Sequence, residues 1–233
     1  MTQRDPLADL PWPGATVTPS EECSQAIRGA CTKGLCKGRG VSATGRALLT
    51  LGLSLLLLGY YTWYALTDSQ SSPIMRTALY GAIGWLGAQA VLVFVTLARP
   101  PGKRGSRTLR LALLFGLPAL FIGYLALMST EHFELARFTE GYAGGHVLGC
   151  AGVGLVMGAL VAGGALFAWR RTDPYTPGIS GALIGVVAGL ASGSGMTVAC
   201  SSYEMFHACF AHGLVVFALA ALGFGFGRRL LAP

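Results

Sequence analysis

The sequence predicts an all-α integral membrane protein: six transmembrane helices, both termini cytoplasmic, and a short amphipathic N-terminal arm. Three observations predict it. Only 12% of the 233 residues are charged and 53% are hydrophobic, whereas a soluble domain carries about 25% charged residues. Six apolar runs reach or approach the roughly 20 residues that cross a hydrocarbon core. The basic residues between them fall almost entirely on one side of the resulting hairpin series.

The six runs are roughly Ala47–Leu66, Ala78–Ala98, Leu111–Ser129, Val147–Trp169, Ile179–Cys200 and Phe210–Gly227. Each reads as a helix, because lipid leaves the backbone groups of an open strand unsatisfied. A soluble helical bundle is a poor alternative, since these runs have no charged face to present to water. The first strongly apolar run begins near Ala47, so no cleavable signal peptide is expected. If residues 1–46 are cytoplasmic, their side holds fifteen of the 17 basic residues and the other side only Arg76 and Arg137. That asymmetry predicts a multi-pass protein of the cytoplasmic (inner) membrane. It also places the formal charge of +7 on loops facing the bilayer surface, which argues against direct nucleic-acid binding.

Tyr60, Tyr61, Trp63 and Tyr64 fall at the outer end of the first span and Trp169 at the inner end of the fourth. Those are the depths that amphipathic aromatics prefer. Gly181, Gly185, Gly189 and Gly193 recur every fourth residue on the fifth span, and Gly154, Gly158 and Ala162 on the fourth. Such stripes let two helix backbones approach closely. The same stripes carry the rival reading, a small transporter or channel-like protein with Gly-rich helices 4 and 5. Against it, no span has an ionisable Asp, Glu, Lys or Arg at its middle, and Pro118 is the lone proline well inside one. Ion-coupled carriers use intramembrane ionisable groups or paired broken helices.

The chain divides into an arm, residues 1–46, and a bundle, residues 47–231. The arm cannot form a core alone. Its first 17 residues are proline-punctuated. "TPSE" then starts a helix, with Thr18 as cap, Pro19 in the first turn and Glu21 closing a capping box. The helix is expected over about 18–34, with Cys23, Ala26, Ile27, Ala30 and Cys31 on one face. Glu22, Gln25, Arg28 and Lys33 lie on the other. Such a stripe lies on a membrane surface or docks in a partner's groove. Its small residues, with no Trp or Phe among them, favour a protein partner. Ile27 and Ala30 are the expected docking face, Glu22 and Arg28 its polar flank, and Trp12 a second contact. Cys23, Cys31 and Cys36 match no common zinc spacing.

"CSSYEMFHACFAHG", residues 200–213, packs two cysteines, two histidines and a glutamate between apolar runs. On one regular helix His207 and His212 point about 140° apart, and Glu204, His207, Cys209 and His212 spread over about 200°. One ion cannot collect those four. A workable site joins His146 and Cys150, one turn apart, with Cys200 and His207, as ligands for zinc or a heavier thiophilic metal. Three readings stand for this region: a metal- or thiol-sensing cluster, a structural disulfide of Cys200 with Cys150 or Cys209, or polar helix-end residues satisfying one another. The last is the simplest. No C-x-x-C pair and no motif setting a nucleophile beside a base occurs, so no enzyme is expected, and no cofactor.

The C-terminal half, "RRTDPYTPGISGALIGVVAGLASGSGMTVACSSYEMFHACFAHGLVVFALAALGFGFGRRLL", resembles the NrsF-like family of six-helix membrane anti-sigma factors. CarR-type regulators are similar in design. Pro174 and Pro177 ahead of the Gly-rich fifth helix carry the resemblance, with Cys200, Glu204, the histidine-bearing start of the last helix and the terminal "GRRLL". Cys150 matches the family's other cysteine. The resemblance covers residues 147–231. It implies that the arm holds an extracytoplasmic-function sigma factor at the bilayer and releases it on an envelope signal, with Cys150 and Cys200 in sensing. The arm departs from zinc-type anti-sigma domains, since it lacks their H-x3-C-x2-C pattern.

Overall fold

The computed structural model describes residues 21–22, 25, 41–67, 73–100, 103, 105–129, 142–200, 202 and 204–232. By its contacts the chain divides into two units, Met1–Gly40 and Val41–Pro233. In the first, Glu21, Glu22 and Gln25 are helical and exposed. Trp12, Ile27, Arg28 and Ala30, and most of the helix expected over 18–34, lie outside the described residues.

Among its described residues the second unit is helical, with six helices long and apolar enough to cross a membrane. They are α1 (Ala43–Thr67), α2 (Pro73–Leu92, continued by a π turn Val93–Leu97), α3 (Arg107–Met128), α4 (Tyr142–Ala168), α5 (Pro177–Ala199) and α6. The last is built in three pieces: Met205–His207, a π turn Ala208–Gly213, and Leu214–Leu230. All six expected spans are present, most of them longer than their apolar runs because capping residues extend the helices into the polar links. Ser42 Oγ accepts from Gly45 N at 3.0 Å, and Ser106 Oγ from Leu109 N at 3.2 Å. Pro177 opens α5 at a position where no N–H partner is needed.

α5 is the axis of the bundle. It touches every other long helix, and 94% of its spanning window is buried inside the protein. A helix apolar on all sides suits that place. The outer helices turn large apolar side chains outward, including Leu56, Tyr80, Leu127, Leu148 and Phe167. An apolar surface of that extent is foreign to a water-facing monomer.

The glycine stripe of α5 packs on α6. A Cβ at Gly181, Gly185 or Gly189 would stand 2.6 Å from Gly227 Cα, 2.6 Å from the Leu219 carbonyl carbon and 2.5 Å from Val216 Cα. α6 answers with Gly223 and Gly227, which lie against Gly181 in turn. On α4, Gly154 meets Met196 and Val215, and Gly158 meets Leu219 and Ser192. These stripes are therefore filled by neighbouring helices and do not line a path.

Two residues that read as surface features are internal. Trp169 is buried, and its Nε1–H donates to Thr50 Oγ1 at 3.0 Å. It joins α4 to α1 rather than anchoring in headgroups, because its N–H finds a partner inside the bundle. Arg110, counted above among the loop charges, is buried in the first turn of α3. Its Nη2 donates to Ser180 Oγ at 2.6 Å and lies 3.6 Å from Asp173 Oδ2, and its Nη1 donates to Thr176 Oγ1 at 2.5 Å. The Ser180 hydroxyl also donates to Asp173. Asp173 Oδ1 accepts from the backbone N–H groups of Tyr175 and Thr176. The link between α4 and α5 is tied to the end of α6 as well, through Arg171 N to Leu230 O and Asp173 N to Leu231 O.

Three outcomes follow from this packing. Gly185→Leu should force α5 from α6 and cost about 1–3 kcal/mol or more by overpacking, read as a lower unfolding midpoint in detergent. Gly52→Ala, with nothing within 4 Å of the added carbon, should leave that midpoint unchanged. Arg110→Met should cost about 3–5 kcal/mol, because it removes one partner of a buried ion pair. An unchanged midpoint would show that the network carries no stability.

Candidate functional site

At the end of the bundle opposite Arg110, three helices bring four ligand-bearing side chains together. Cys150 comes from α4, Cys200 is the residue that ends α5, and His207 and His212 come from the start of α6. One donor atom from each of the four lies within 4.8 Å of the other three.

Local structure sets each side chain. α5 stops at Cys200, which is extended (φ −80, ψ 136) while its N–H still donates to Met196 O. The chain reverses within a few residues, and α6 begins at Met205. Cys200 Sγ then lies 3.2 Å from His207 Nε2. Next comes the π turn, in which the bond from Leu214 N reaches back five residues to Cys209 O. A turn closed by such bonds stacks residues five apart on one face. The rings of His207 and His212 accordingly meet edge to face, 5.3 Å between centroids, rather than pointing about 140° apart as on a regular helix. The expectation of divergent histidines is corrected by that wider turn.

His212 has a second fixed contact. Its Nδ1 lies 3.2 Å from Thr197 Oγ1, and the single hydroxyl proton of Thr197 goes to Gly193 O at 2.9 Å. The threonine oxygen can therefore only accept from the ring, so Nδ1 carries the proton and Nε2 keeps a bare lone pair. That Nε2 is buried, and the Cys150 side chain is its polar neighbour.

Both histidines are almost fully buried, whereas the two cysteines are partly exposed. Cys150 and Cys200 help to line a cavity of about 600 Å³ with Tyr60, Tyr61, Tyr64, His146 and Met196, whereas His207 and His212 are not among its lining residues.

Three of the four residues expected as a metal set, Cys150, Cys200 and His207, are thus brought together. His146 is not in the four-donor group. It is exposed at the rim, with its ring 5.8 Å from that of His207. His212 is in the group and was missed, because the sequence pattern carries no sign of the π turn. Thr197 was missed for the same reason. Cys209 turns instead toward the apolar core and joins neither sulfur. Glu204 does not belong to the group either.

A family model described as "Negative regulator of sigma F", NrsF, matches residues 36–232. The chain belongs to the NrsF family. The match extends far beyond residues 147–231, taking in all six helices as well as the cysteine–histidine cluster. No curated protein and no solved structure matches the chain. The NrsF description makes it a negative regulator of a sigma factor, a regulatory role, and it makes a sigma factor the class of partner.

The cluster geometry has a chemical consequence that can be read by mass spectrometry. Mild oxidation of the detergent-purified chain should join Cys150 to Cys200, two sulfurs lining one cavity, with Cys209 left as a thiol. A Cys200–Cys209 product would contradict this arrangement.

Proposed function

We propose that this NrsF-family chain is a membrane-bound anti-sigma factor that holds an extracytoplasmic-function sigma factor through its cytoplasmic arm and releases it on an envelope signal. The observation that carries the reading is the family match over residues 36–232, joined to six helices able to cross a membrane. The one-sided distribution of basic residues supports an orientation with both termini in the cytoplasm. In that orientation the arm faces the compartment that holds sigma factors, and the cysteine–histidine cluster lies near the outer surface.

The amphipathic stripe of residues 18–34 is the partner-binding element in this proposal. Ile27 and Ala30 form its docking face, Glu22 and Arg28 flank it, and Trp12 supplies a second contact. A sequestered sigma factor stays at the bilayer, away from RNA polymerase. Cys150 and Cys200 are the sensing residues. A change at their end of α4 and α5 reaches the arm through the bundle, whose helices pack too tightly to deform continuously. A stress response is the expected physiological setting.

The test is co-purification of the full-length chain in detergent with the sigma factors of its source cell. One sigma factor should be captured by the wild type. Ile27→Asp, which puts a charge in an apolar interface, should lower capture at least about tenfold, the equivalent of 1.4 kcal/mol, while membrane insertion stays normal. Equal capture by Ile27→Asp would remove the helix from the binding mode. Failure of the wild type to capture any sigma factor would sink the reading. Cys150→Ser and Cys200→Ser should leave capture intact and blunt release in cells; full induction in both variants would exclude them as sensors.

A further inference from the structure

We propose that Cys150, Cys200, His207 and His212 form a tetrahedral site for a thiophilic divalent cation of the zinc class. This deepens the sensing reading above by giving Cys150 and Cys200 a ligand class, and it rests on that reading only for its physiological consequence.

Four features carry the proposal. The first is convergence. One donor atom from each residue already lies within 4.8 Å of the others, and a tetrahedral zinc with two sulfur and two nitrogen ligands sets them roughly 3.3–3.8 Å apart. Closing the site therefore needs shifts of an ångström or less, and Cys200 Sγ and His207 Nε2 are already 3.2 Å apart.

The second is the fixed tautomer of His212. A zinc-bound histidine normally donates its other ring N–H to an oxygen that orients it. Here Thr197 accepts from Nδ1 because its own proton is committed to Gly193 O. The bare Nε2 that results is buried, with the Cys150 side chain as its polar neighbour. A lone pair presented in that way beside a sulfur is what a metal ligand requires.

The third is charge. Cys150 and Cys200 enter as thiols and bind as thiolates, so uptake of one divalent ion releases two protons through the cavity. Two thiolates, two neutral imidazoles and one divalent cation sum to zero. A neutral site is the form that an apolar bundle tolerates, because an uncompensated charge there is heavily penalised. A sulfur and imidazole donor set also selects against magnesium and calcium, which take oxygen ligands.

The fourth is access. Cys150 and Cys200 line the 600 Å³ cavity, and the two histidines are buried, with 3% and 1% of their surface exposed. The site thus has a way in, and its deepest ligands are held in place. The π turn of α6 belongs to the same design, because it brings His207 and His212 onto one face.

The experiment uses the full-length chain in detergent, reduced, with Cys23, Cys31 and Cys36 replaced by serine so that the arm cannot bind metal. Zinc is titrated against a coloured chelator, and bound metal is measured by elemental analysis. One zinc per chain is expected, and cobalt in its place should give the visible bands of a tetrahedral site with sulfur-to-metal charge transfer. Cys150→Ser, Cys200→Ser, His207→Gln and His212→Gln should each weaken binding about 100-fold or more. His146→Gln and Cys209→Ser should bind as the parent does. Thr197→Val should weaken zinc about 10–100-fold, the range for loss of an orienting partner, with the cobalt spectrum unchanged, and Thr197→Ser should restore it. The threonine pair keeps the test decisive if a ligand variant fails to fold.

No stoichiometric zinc in the parent would overturn the proposal, as would binding that survives loss of both cysteines. Loss in the cysteine variants alone, with both histidine variants normal, would overturn the four-ligand site in favour of a bare dithiol. Sigma-factor capture is read separately on the full-length chain with Cys23, Cys31 and Cys36 intact. Capture without zinc binding sinks the metal site alone, and zinc binding without capture sinks the regulator reading alone.

Discussion

The close approach of α5 to α6 is the constraint on which the rest of the bundle depends. Apolar side chains gain little by leaving lipid for a protein interior, so helices in a membrane hold together through contact and backbone proximity. α5 meets that requirement by discarding side chains at Gly181, Gly185 and Gly189, so that backbone atoms of α6 occupy the space. With its other faces covered by Ala, Val, Leu, Ile and Ser, α5 becomes the buried axis against which α1 to α4 pack.

Placing one helix at the axis gives its two ends different duties. At one end Thr176 and Ser180 meet Arg110 and Asp173 in a buried polar network that fastens α3 to α5. At the other end, α5 stops at Cys200, beside Cys150 of α4 and the two histidines of α6. Thr197, less than one turn before that stop, holds His212 through Nδ1.

The polar groups of this protein are concentrated where the apolar bundle can satisfy them. Arg110 and Asp173 are paired and hydrogen-bonded, as buried charges must be. Trp169 and Thr50 satisfy each other, and Ser192 Oγ donates to Gly154 O at 2.8 Å, tying α5 to α4. His212 Nε2, like Arg46 Nε and Gln89 Oε1, is a buried polar atom outside this set of hydrogen bonds, and it belongs to a side chain grouped with two sulfurs and a second imidazole.

Much of this architecture was legible in the chain. The six spans follow from hydropathy and length, which are local properties that neighbouring helices do not alter. The glycine stripe of α5 was readable because a four-residue spacing puts Gly181, Gly185, Gly189 and Gly193 on one face. The proximity of Cys150, Cys200 and His207 could be anticipated, since a hairpin series puts them at one depth. Only the tertiary structure decided which helix the glycines meet, because a stripe does not name its partner. It alone moved Trp169 and Arg110 from the surface to the interior, where Thr50 accepts from the indole and Ser180 and Thr176 from the guanidinium. It also admitted His212 to the cluster and left His146 at the rim. Periodicity assumes a regular α-helix, and one π turn changes the direction of every side chain beyond it. That turn is settled by packing between helices and leaves no mark in the order of the residues.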